Sequence, residues 1–576
     1  MPGLLGSLFR EFAFTLAAAV IISGFISRTL SPMMCSRMLS TREGRISRRV
    51  ENVFATISGR YARVVSRLLR RRWLIVPIAC GLLAIGYLAG RSITAELVPV
   101  EDPGYVFVRF QGQPGASYEN MLDQAKAITG VFDTVPERQS SLILVGTPTR
   151  NEGFAFLLLK PWAERSRRAN VIGRSIEPGL DRIPGVRTSV IDPNPLAGGG
   201  QAPVQFVLRT STGYDQLAEA MDDFLKRAKE IPGLERPSWD LMLTVPRVDV
   251  EIDRALTANL KVPVAAVGET LATILGARVV SRFSWQGELY NVLVELQEPS
   301  RNELSALNEI SVRSSDGNLQ PLSAIVTARE SVGPDALRHF GQLPAAMLSA
   351  TLSPDASLGS VLSGLEKLAQ TTLPPGFSYD FAGLSRQMRQ ANVQVGIVFL
   401  LALVFIYLFL AAQFESFRDA TTVLIVVPFA VVGSLVGLAV IGGGINIYSA
   451  IGVITLTGLV AKNGIMITEF VNQRRDEGEP LREAIVAGAA LRLRPILMTS
   501  IATIFGAVPL MLDSGPGSVG RSQIGAVIVG GMLLGTVVSL IVVPLVYSLV
   551  SPRVRKPLVE PPPLQATGTL AADAAR

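Results

Sequence analysis

Residues 396–412 read GIVFLLALVFIYLFLAA and contain no charged side chain. A helix needs about 20 predominantly apolar residues to cross the hydrocarbon core of a bilayer, so this run predicts a transmembrane helix over residues 392–412. The other predicted spans are residues 12–34, 73–90, 420–441, 445–470, 495–512 and 523–550. Five of the seven lie nearly end to end after residue 391, which disfavours buried helices of a water-soluble core. The fold class is therefore a polytopic α-helical membrane protein.

The composition of the 576-residue chain agrees with this class. Hydrophobic residues make up 48% of it and charged residues only 18%, against about 25% charged residues in average soluble domains. A single histidine excludes a multi-histidine metal site, and the distant Cys35 and Cys80 exclude a disulfide framework and any CxxC motif. The sequence has no GxxxxGK[ST] loop, so nothing predicts ATP hydrolysis.

Arginines are concentrated in one loop. Residues 35–72 contain eleven arginines and two acids, Glu43 and Glu51, a formal charge of +9 against +7 for the whole chain. Because cytoplasmic loops are rich in Lys and Arg, we predict that 35–72 is cytoplasmic and, by alternation, 413–419, 471–494 and 551–576 also. The positive net charge is then explained by the membrane topology. It therefore gives no reason to predict nucleic-acid binding. Apolar residues at helical spacing from Val53 to Leu68 predict an amphipathic helix on the inner membrane face.

Residues 91–391 form a large domain on the opposite side with an α/β pattern. Strands at 105–111, 141–146, 154–160 and 186–192 and helices at 117–135 and 170–183 give the order βαββαβ, the ferredoxin-like (split βαβ) unit. The Pro- and Gly-rich joint DPNPLAGGGQAP (192–203) marks a subdomain boundary.

A second unit of the same kind is predicted after the joint. It begins with a strand at 204–209, a helix at 214–231 and a strand at 245–253. It is completed by a strand at 345–352, a helix at 358–371 and a strand at 378–381. Residues 254–334 would then be an insertion with strands of its own, such as 290–296. Two unrelated α/β domains remain the alternative.

Lys462 is the only ionisable residue well away from the ends of the predicted spans. In ITLTGLVAKNGIMITEF (454–470), helical spacing places it on one face with Thr455, Gly458 and Glu469. An ammonium group buried without a partner is costly, so we expect a carboxylate partner. Glu469 lies about 10 Å further along the helix, too far to pair directly, and no other predicted span offers an interior acid. The alternative is a lysine that snorkels to the inner interface.

A second polar stripe lies in LRLRPILMTSIATIFG (491–506). Arg492 and Thr499 are seven residues apart, two turns on one helix face, and Thr503 continues the stripe. Positive-inside anchoring is the alternative for Arg492 and the preferred interpretation for Arg494. The GxxxG matches at Gly433/Gly437 and Gly531/Gly535 predict close helix packing at most.

Several runs in order resemble the resistance-nodulation-division (RND) efflux pumps of the hydrophobe/amphiphile, multidrug branch. They are FREFAFTLAAAVIISGFISRTLSPMMCSRML (9–39), LVPVEDPGY (97–105), LKPWAERS (159–166), AAQFES (411–416), GLVAKNGIMITEF (458–470) and LRLRPILMTS (491–500). The resemblance implies a homotrimeric permease of the bacterial inner membrane. It would take amphiphilic small molecules from the periplasm or outer leaflet and pass them, through a periplasmic adaptor protein, to an outer-membrane channel. The proton motive force drives such pumps and no cofactor is expected; the chain would be a secondary transporter, not an enzyme.

The resemblance also assigns parts of the chain. The proton relay of the family uses two adjacent aspartates in helix four, a lysine in helix ten, and an arginine and a threonine in helix eleven; the last three match Lys462, Arg492 and Thr499. The implied organisation is a first span at 1–34 (helix six), a cytoplasmic basic loop at 35–72, a span at 73–90, a periplasmic porter subdomain at 91–202, a second porter subdomain at 203–245 and 335–390, a docking insertion at 246–334, a five-span bundle at 391–550 and a disordered cytoplasmic tail at 551–576.

Two departures from the family bear on function. The chain resembles only the C-terminal part of a pump, so we expect that a missing N-terminal half supplies the acidic pair. The loop GTPTRNEGFAF (146–156) is shorter than the phenylalanine-rich loop of many drug pumps; Phe154 and Phe156 are its candidate substrate contacts, with strand-core residues as the preferred alternative. The competing functions are a transport-incompetent remnant or interaction partner, and an RND exporter of another substrate such as lipid. The lack of His and Met clusters disfavours metal export.

Overall fold

A computed structural model describes residues 3–38, 45–71, 73, 75–147, 149–191, 202–243, 245–297, 304–334, 336–353 and 356–551. Most of the predicted joint (192–203) and all but the first residue of the predicted tail (551–576) lie outside these residues. The helices are α1 (Gly3–Met38), α2 (Arg45–Arg70), α3 (Ile75–Ser92), α4 (Tyr118–Asp133), α5 (Ala169–Leu180), α6 (Tyr214–Ala228), α7 (Arg254–Asn259), α8 (Val264–Gly276), α9 (Leu358–Thr372), α10 (Gly383–Phe414), α11 (Phe417–Leu424), α12 (Val427–Ile441), α13 (Ile447–Asp476), α14 (Leu481–Met511) and α15 (Ser518–Val550). The strands are β1 (Tyr105–Gly112), β2 (Arg138–Val145), β3 (Glu152–Leu159), β4 (Val186–Ile191), β5 (Val204–Thr210), β6 (Leu234–Trp239), β7 (Val245–Ile252), β8 (Arg278–Trp285), β9 (Glu288–Val294), β10 (Ser311–Arg313), β11 (Leu319–Pro321), β12 (Val326–Gly333), β13 (His339–Phe340), β14 (Leu343–Leu352) and β15 (Phe377–Phe381).

Seven helical segments within the described ranges are long and apolar enough to cross a bilayer, and each overlaps one predicted span. They are α1, α3, α10, the pair α11–α12, α13, α14 and α15. The boundaries differ most at α14, which begins at Leu481 rather than near residue 495 and contains Pro495 within it. Proline is tolerated in membrane helices because neighbouring helices and local adjustments satisfy the freed backbone groups.

The first outer unit is a four-stranded antiparallel sheet in the order β2-β3-β1-β4. Successive side chains of a strand point to opposite faces of the sheet. Val106, Val108 and Phe110 of β1 therefore share one face with Ala155 and Leu157 of β3. Helices α4 and α5 pack on this face through apolar side chains such as Ile128, Phe132, Ile172 and Ile176. The strands and helices predicted between residues 105 and 192 are all present in this unit.

The second outer unit corrects one predicted strand. Its sheet has the order β13-β14-β5-β15, with β6 also paired to β14. The predicted strand at 245–253 is instead β7, which pairs antiparallel with β12 in the insertion. The position next to β14 in the second sheet is occupied by β6 instead. Because β6 contains Pro237, its sequence does not read as a strand. Trp239 of β6 fixes this arrangement by donating its indole N–H to the Met221 carbonyl of α6 at 3.0 Å.

The helix α15 lies at the centre of the membrane bundle, in contact with α12, α13 and α14. Its backbone nearly touches that of α12: a β-carbon at Gly437 would lie 2.5 Å from the Ala526 carbonyl oxygen, and one at Gly433 would lie 2.6 Å from that of Gly530. On the neighbouring face of α15, a β-carbon at Gly535 would meet Val460 of α13 at 3.1 Å. Both GxxxG matches therefore lie at helix contacts, as predicted.

We expect the substitution Gly437→Ala to lower the thermal stability of the purified protein in detergent. The added methyl group meets backbone rather than a flexible side chain, and such overpacking costs about 1–3 kcal/mol. The control is Gly506→Ala in α14, where a β-carbon would have no atom within 4 Å and alanine favours the helix. Equal melting temperatures for the two variants would contradict the close contact of α12 with α15.

Candidate functional site

Lys462 lies on the uncovered face of α13. The helix begins with a capping box between Asn446 and Ser449 and continues unbroken to Asp476. Lys462, Gly458 and Glu469 are exposed, while Asn463, about 100° further around the helix, is buried. A β-carbon at Gly458 would have no atom within 4 Å. The face that helical spacing predicted from the sequence is therefore the one that the other described helices leave open.

The side chain of Lys462 has no hydrogen bond and no ion pair with any residue that the structure describes, and neither has the side chain of Glu469. In water this would be ordinary, but Lys462 occupies the middle of an apolar helix long enough to span a bilayer. A charge at such a depth is costly unless it is paired or reaches water. The carboxylate partner expected for Lys462 is not among the described residues.

Arg492 and Thr499 lie on α14, the helix that packs along α13. The two helices approach closely, since a β-carbon at Gly488 would meet Val471 at 2.8 Å. The Arg492 guanidinium lies 4.5 Å from the centroid of the Phe470 ring, and its buried Nε has no hydrogen-bond partner. The Thr499 hydroxyl lies 3.1 Å from the carbonyl oxygens of Pro495 and Ile496 in its own helix. The three predicted relay residues are thus on adjacent helices without hydrogen bonds between them.

Buried hydroxyl and amide groups join α13, α14 and α15 just behind Lys462. Asn463 Nδ2 lies 3.5 Å from both Ser500 Oγ and Thr536 Oγ1, and Thr536 donates to Ser500 at 2.9 Å. All three side chains are buried. None of the three was predicted from the sequence to carry a role. The only sequence signals are that Ser500 follows Thr499 and that Thr536 follows Gly535 of the second GxxxG match.

A second buried network lies nearer the ends of the same helices. Asn472 Nδ2 donates to Asp419 Oδ2 at 3.1 Å and accepts a hydrogen bond from the Tyr547 hydroxyl at 2.5 Å. Arg475 Nη1 donates to Tyr547 at 3.2 Å and to Ser551 at 2.6 Å. From the sequence, Asp419 and Arg475 fall in the predicted cytoplasmic connections 413–419 and 471–494. The structure instead gives them buried partners that tie α11 to α13 and α15.

The N-terminal end of α13 contacts the outer domain, the large α/β domain of residues 91–391. Asn446 Nδ2 donates to Glu96 Oε1 at 3.1 Å and also contacts Gln523 of α15. Glu96 lies after the end of α3, and burial raises the pKa of its carboxyl group above the ordinary value. Ile447 and Ile451 of α13 pack in the same apolar core as β5 and β14 of the second outer unit. Movement of α13 would therefore act directly on that unit.

Phe154 and Phe156 lie on the sheet face that points away from α4 and α5. Both are half-buried and lie outside the main apolar core of the first outer unit. Their rings pack against Phe107, with centroids 5.5 Å and 4.9 Å apart. An ion pair of 3.0 Å between Arg109 and Glu152 borders this aromatic surface. The surface therefore combines apolar rings with fixed charges of both signs.

Comparison with known proteins agrees with this architecture. The chain matches the model of the AcrB/AcrD/AcrF family over residues 1–551. It is 33% identical over 570 residues to an uncharacterized transporter of Haemophilus influenzae, an alignment that covers 97% of this chain and 55% of that protein. This chain thus spans about half the length of the relative. A match of this extent, to a chain whose apolar helices flank a large α/β domain, makes it a member of the AcrB/AcrD/AcrF family of RND transporters.

Proposed function

We propose that this chain is the C-terminal part of a proton-driven RND permease of the bacterial inner membrane, which exports amphiphilic compounds. The observation that carries the proposal is the unpaired Lys462 on the open face of α13. A lysine in an apolar helix is explained if a segment outside this sequence covers that face and supplies the carboxylates. The family resemblance suggests an adjacent pair of aspartates for this role.

In this proposal, protonation controls the pairing of Lys462. Ionised carboxylates attract its ammonium group, and at 4 Å the interaction is worth about 4 kcal/mol at an effective dielectric constant of 20. Proton entry neutralises the carboxylates and releases the lysine. Arg492, with its unpartnered Nε, and the Thr499 hydroxyl lie on the adjacent helix α14 and are the residues that we propose exchange partners at this step. The change in pairing would shift α13 relative to the covering helices.

In this proposal α13 moves together with α14 and α15, because the Asn463–Ser500–Thr536 contacts join the three helices. Because Ile447 and Ile451 pack in the core of the second outer unit, a shift of α13 would also move that unit. The two outer units contain sheets of four and five strands. We infer that they are ferredoxin-like porter subdomains, which would then open and close a path for substrate.

The aromatic surface around Phe107, Phe154 and Phe156 is the proposed substrate contact. Aromatic rings bind apolar groups of many shapes, while Arg109 and Glu152 offer charges to the polar end of an amphiphile. The exposed hairpin β8–β9 supports the proposed homotrimer, because Phe283, Trp285 and Leu289 are 51%, 58% and 75% exposed. Exposed apolar side chains of this extent mark an interaction surface. The adaptor protein and the outer-membrane channel are the other proposed partners.

We expect Lys462→Ala to abolish efflux when it is introduced into a pump that contains both halves. Without the ammonium group, protonation of the carboxylates no longer changes an ion pair, so drug resistance should fall to that of the pump-deficient host. The control is Glu469→Gln on the same exposed face, which we expect to retain resistance. Resistance at the wild-type level in Lys462→Ala, at equal protein abundance, would refute the relay assignment.

The 576-residue chain alone should confer no drug resistance on a pump-deficient host. Its described residues hold no carboxylate against Lys462, so proton flow could not be coupled to movement. Minimum inhibitory concentrations should equal those of the empty host, and co-expression with an N-terminal half of a related pump should raise them. Substantial resistance from the chain alone would show that the acidic pair is unnecessary.

A further inference from the structure

The amphipathic helix α2 packs against α14 and α15 and leaves a groove beside α14. Ser58 donates to the Ala490 carbonyl of α14 at 3.0 Å, and the Tyr61 hydroxyl donates to the Leu540 carbonyl of α15 at 2.6 Å. Val65 and Leu69 are buried in the core of the bundle. These contacts hold the arginine-rich helix at the end of the bundle where α14 begins.

The groove has a volume of about 450 Å³ and lies between the last turns of α2 and the first turns of α14. Its floor is formed by small or apolar side chains, among them Leu69, Val486 and Ala487. Arg70 lines one wall and Arg482 the other, and neither has a hydrogen bond or ion pair with a described residue. Glu483 is the one acidic side chain in the lining.

Further features of the same site attract a phosphate group. Pro480, which precedes α14, provides no side-chain cap, so the first N–H groups of the helix add positive potential at the groove. Val53 and Val64 of α2 remain 55% and 44% exposed, as expected for a helix that contacts acyl chains. Basic pockets between helices at the cytoplasmic leaflet bind anionic lipid headgroups.

We propose that this groove binds the headgroup of an anionic phospholipid. The phosphate lies between the guanidinium groups of Arg70 and Arg482, and the acyl chains run from the apolar floor into the bilayer. A lipid fits the groove better than a free anion because much of its lining is apolar. The site is separate from the proposed proton relay, and its test does not depend on transport.

The test measures lipid binding to the 576-residue chain, purified in a neutral detergent, by native mass spectrometry. Dioleoylphosphatidylglycerol should bind at least tenfold more tightly than dioleoylphosphatidylcholine. Loss of two arginines near the headgroup, in the double variant R70Q/R482Q, should weaken phosphatidylglycerol binding roughly 30-fold. The matched control R63Q/R67Q removes two exposed arginines of α2 that do not line the groove, and should weaken binding less than threefold.

Two additional measurements locate the site. Ala487→Phe fills the groove without a change of charge and should weaken phosphatidylglycerol binding at least fivefold; unchanged binding would refute the groove as the site. Inorganic phosphate at millimolar concentration should not compete, and effective competition would mean a free-anion site instead of a lipid site. Equal losses in R70Q/R482Q and R63Q/R67Q, or equal affinity for the two lipids, would also overturn the proposal.

Discussion

Close backbone contact between α12 and α15 sets the arrangement of the membrane helices. Glycine is required at Gly433, Gly437 and Gly530 because any β-carbon there would overlap the facing backbone. In a bilayer, where lipid is as apolar as leucine, such close packing and hydrogen bonds between helices provide much of the association energy. With α15 fixed against α12, its other faces are left to receive α13 and α14.

The polar residues of the bundle follow from this arrangement. Asn463, Ser500 and Thr536, on α13, α14 and α15, bond to one another without an ionised partner. Lys462 lies on an exposed face of α13, which no described helix covers. The same helix is thus bound firmly on one side and carries an unpaired charge on the other. The first turns of α13 lie in the apolar core of the second outer unit.

Much of the fold could be predicted from the sequence because its signals are local. The apolar runs identified the membrane helices, and the alternation around residues 105–111 identified β1 with its neighbours. The prediction failed where a local signal was ambiguous. Pro237 concealed β6, and β7 alternates well enough to belong to either sheet. Ser500, Thr536 and Tyr547 could not be recognised as network residues, since single hydroxyl groups are common in membrane helices and only their partners on other helices distinguish them.

The sequence by itself determined which segments are apolar helices, which face of α13 carries Lys462, and where the positive charge is concentrated. These properties depend on periodicity and composition within one segment. Only the tertiary structure decided that this face is uncovered, that Phe154 and Phe156 turn away from the core, and that Arg70 and Arg482 line one groove. Each of these depends on contacts between residues far apart in the chain, which the packing of α2, α14 and α15 and the pairing of the strands bring together.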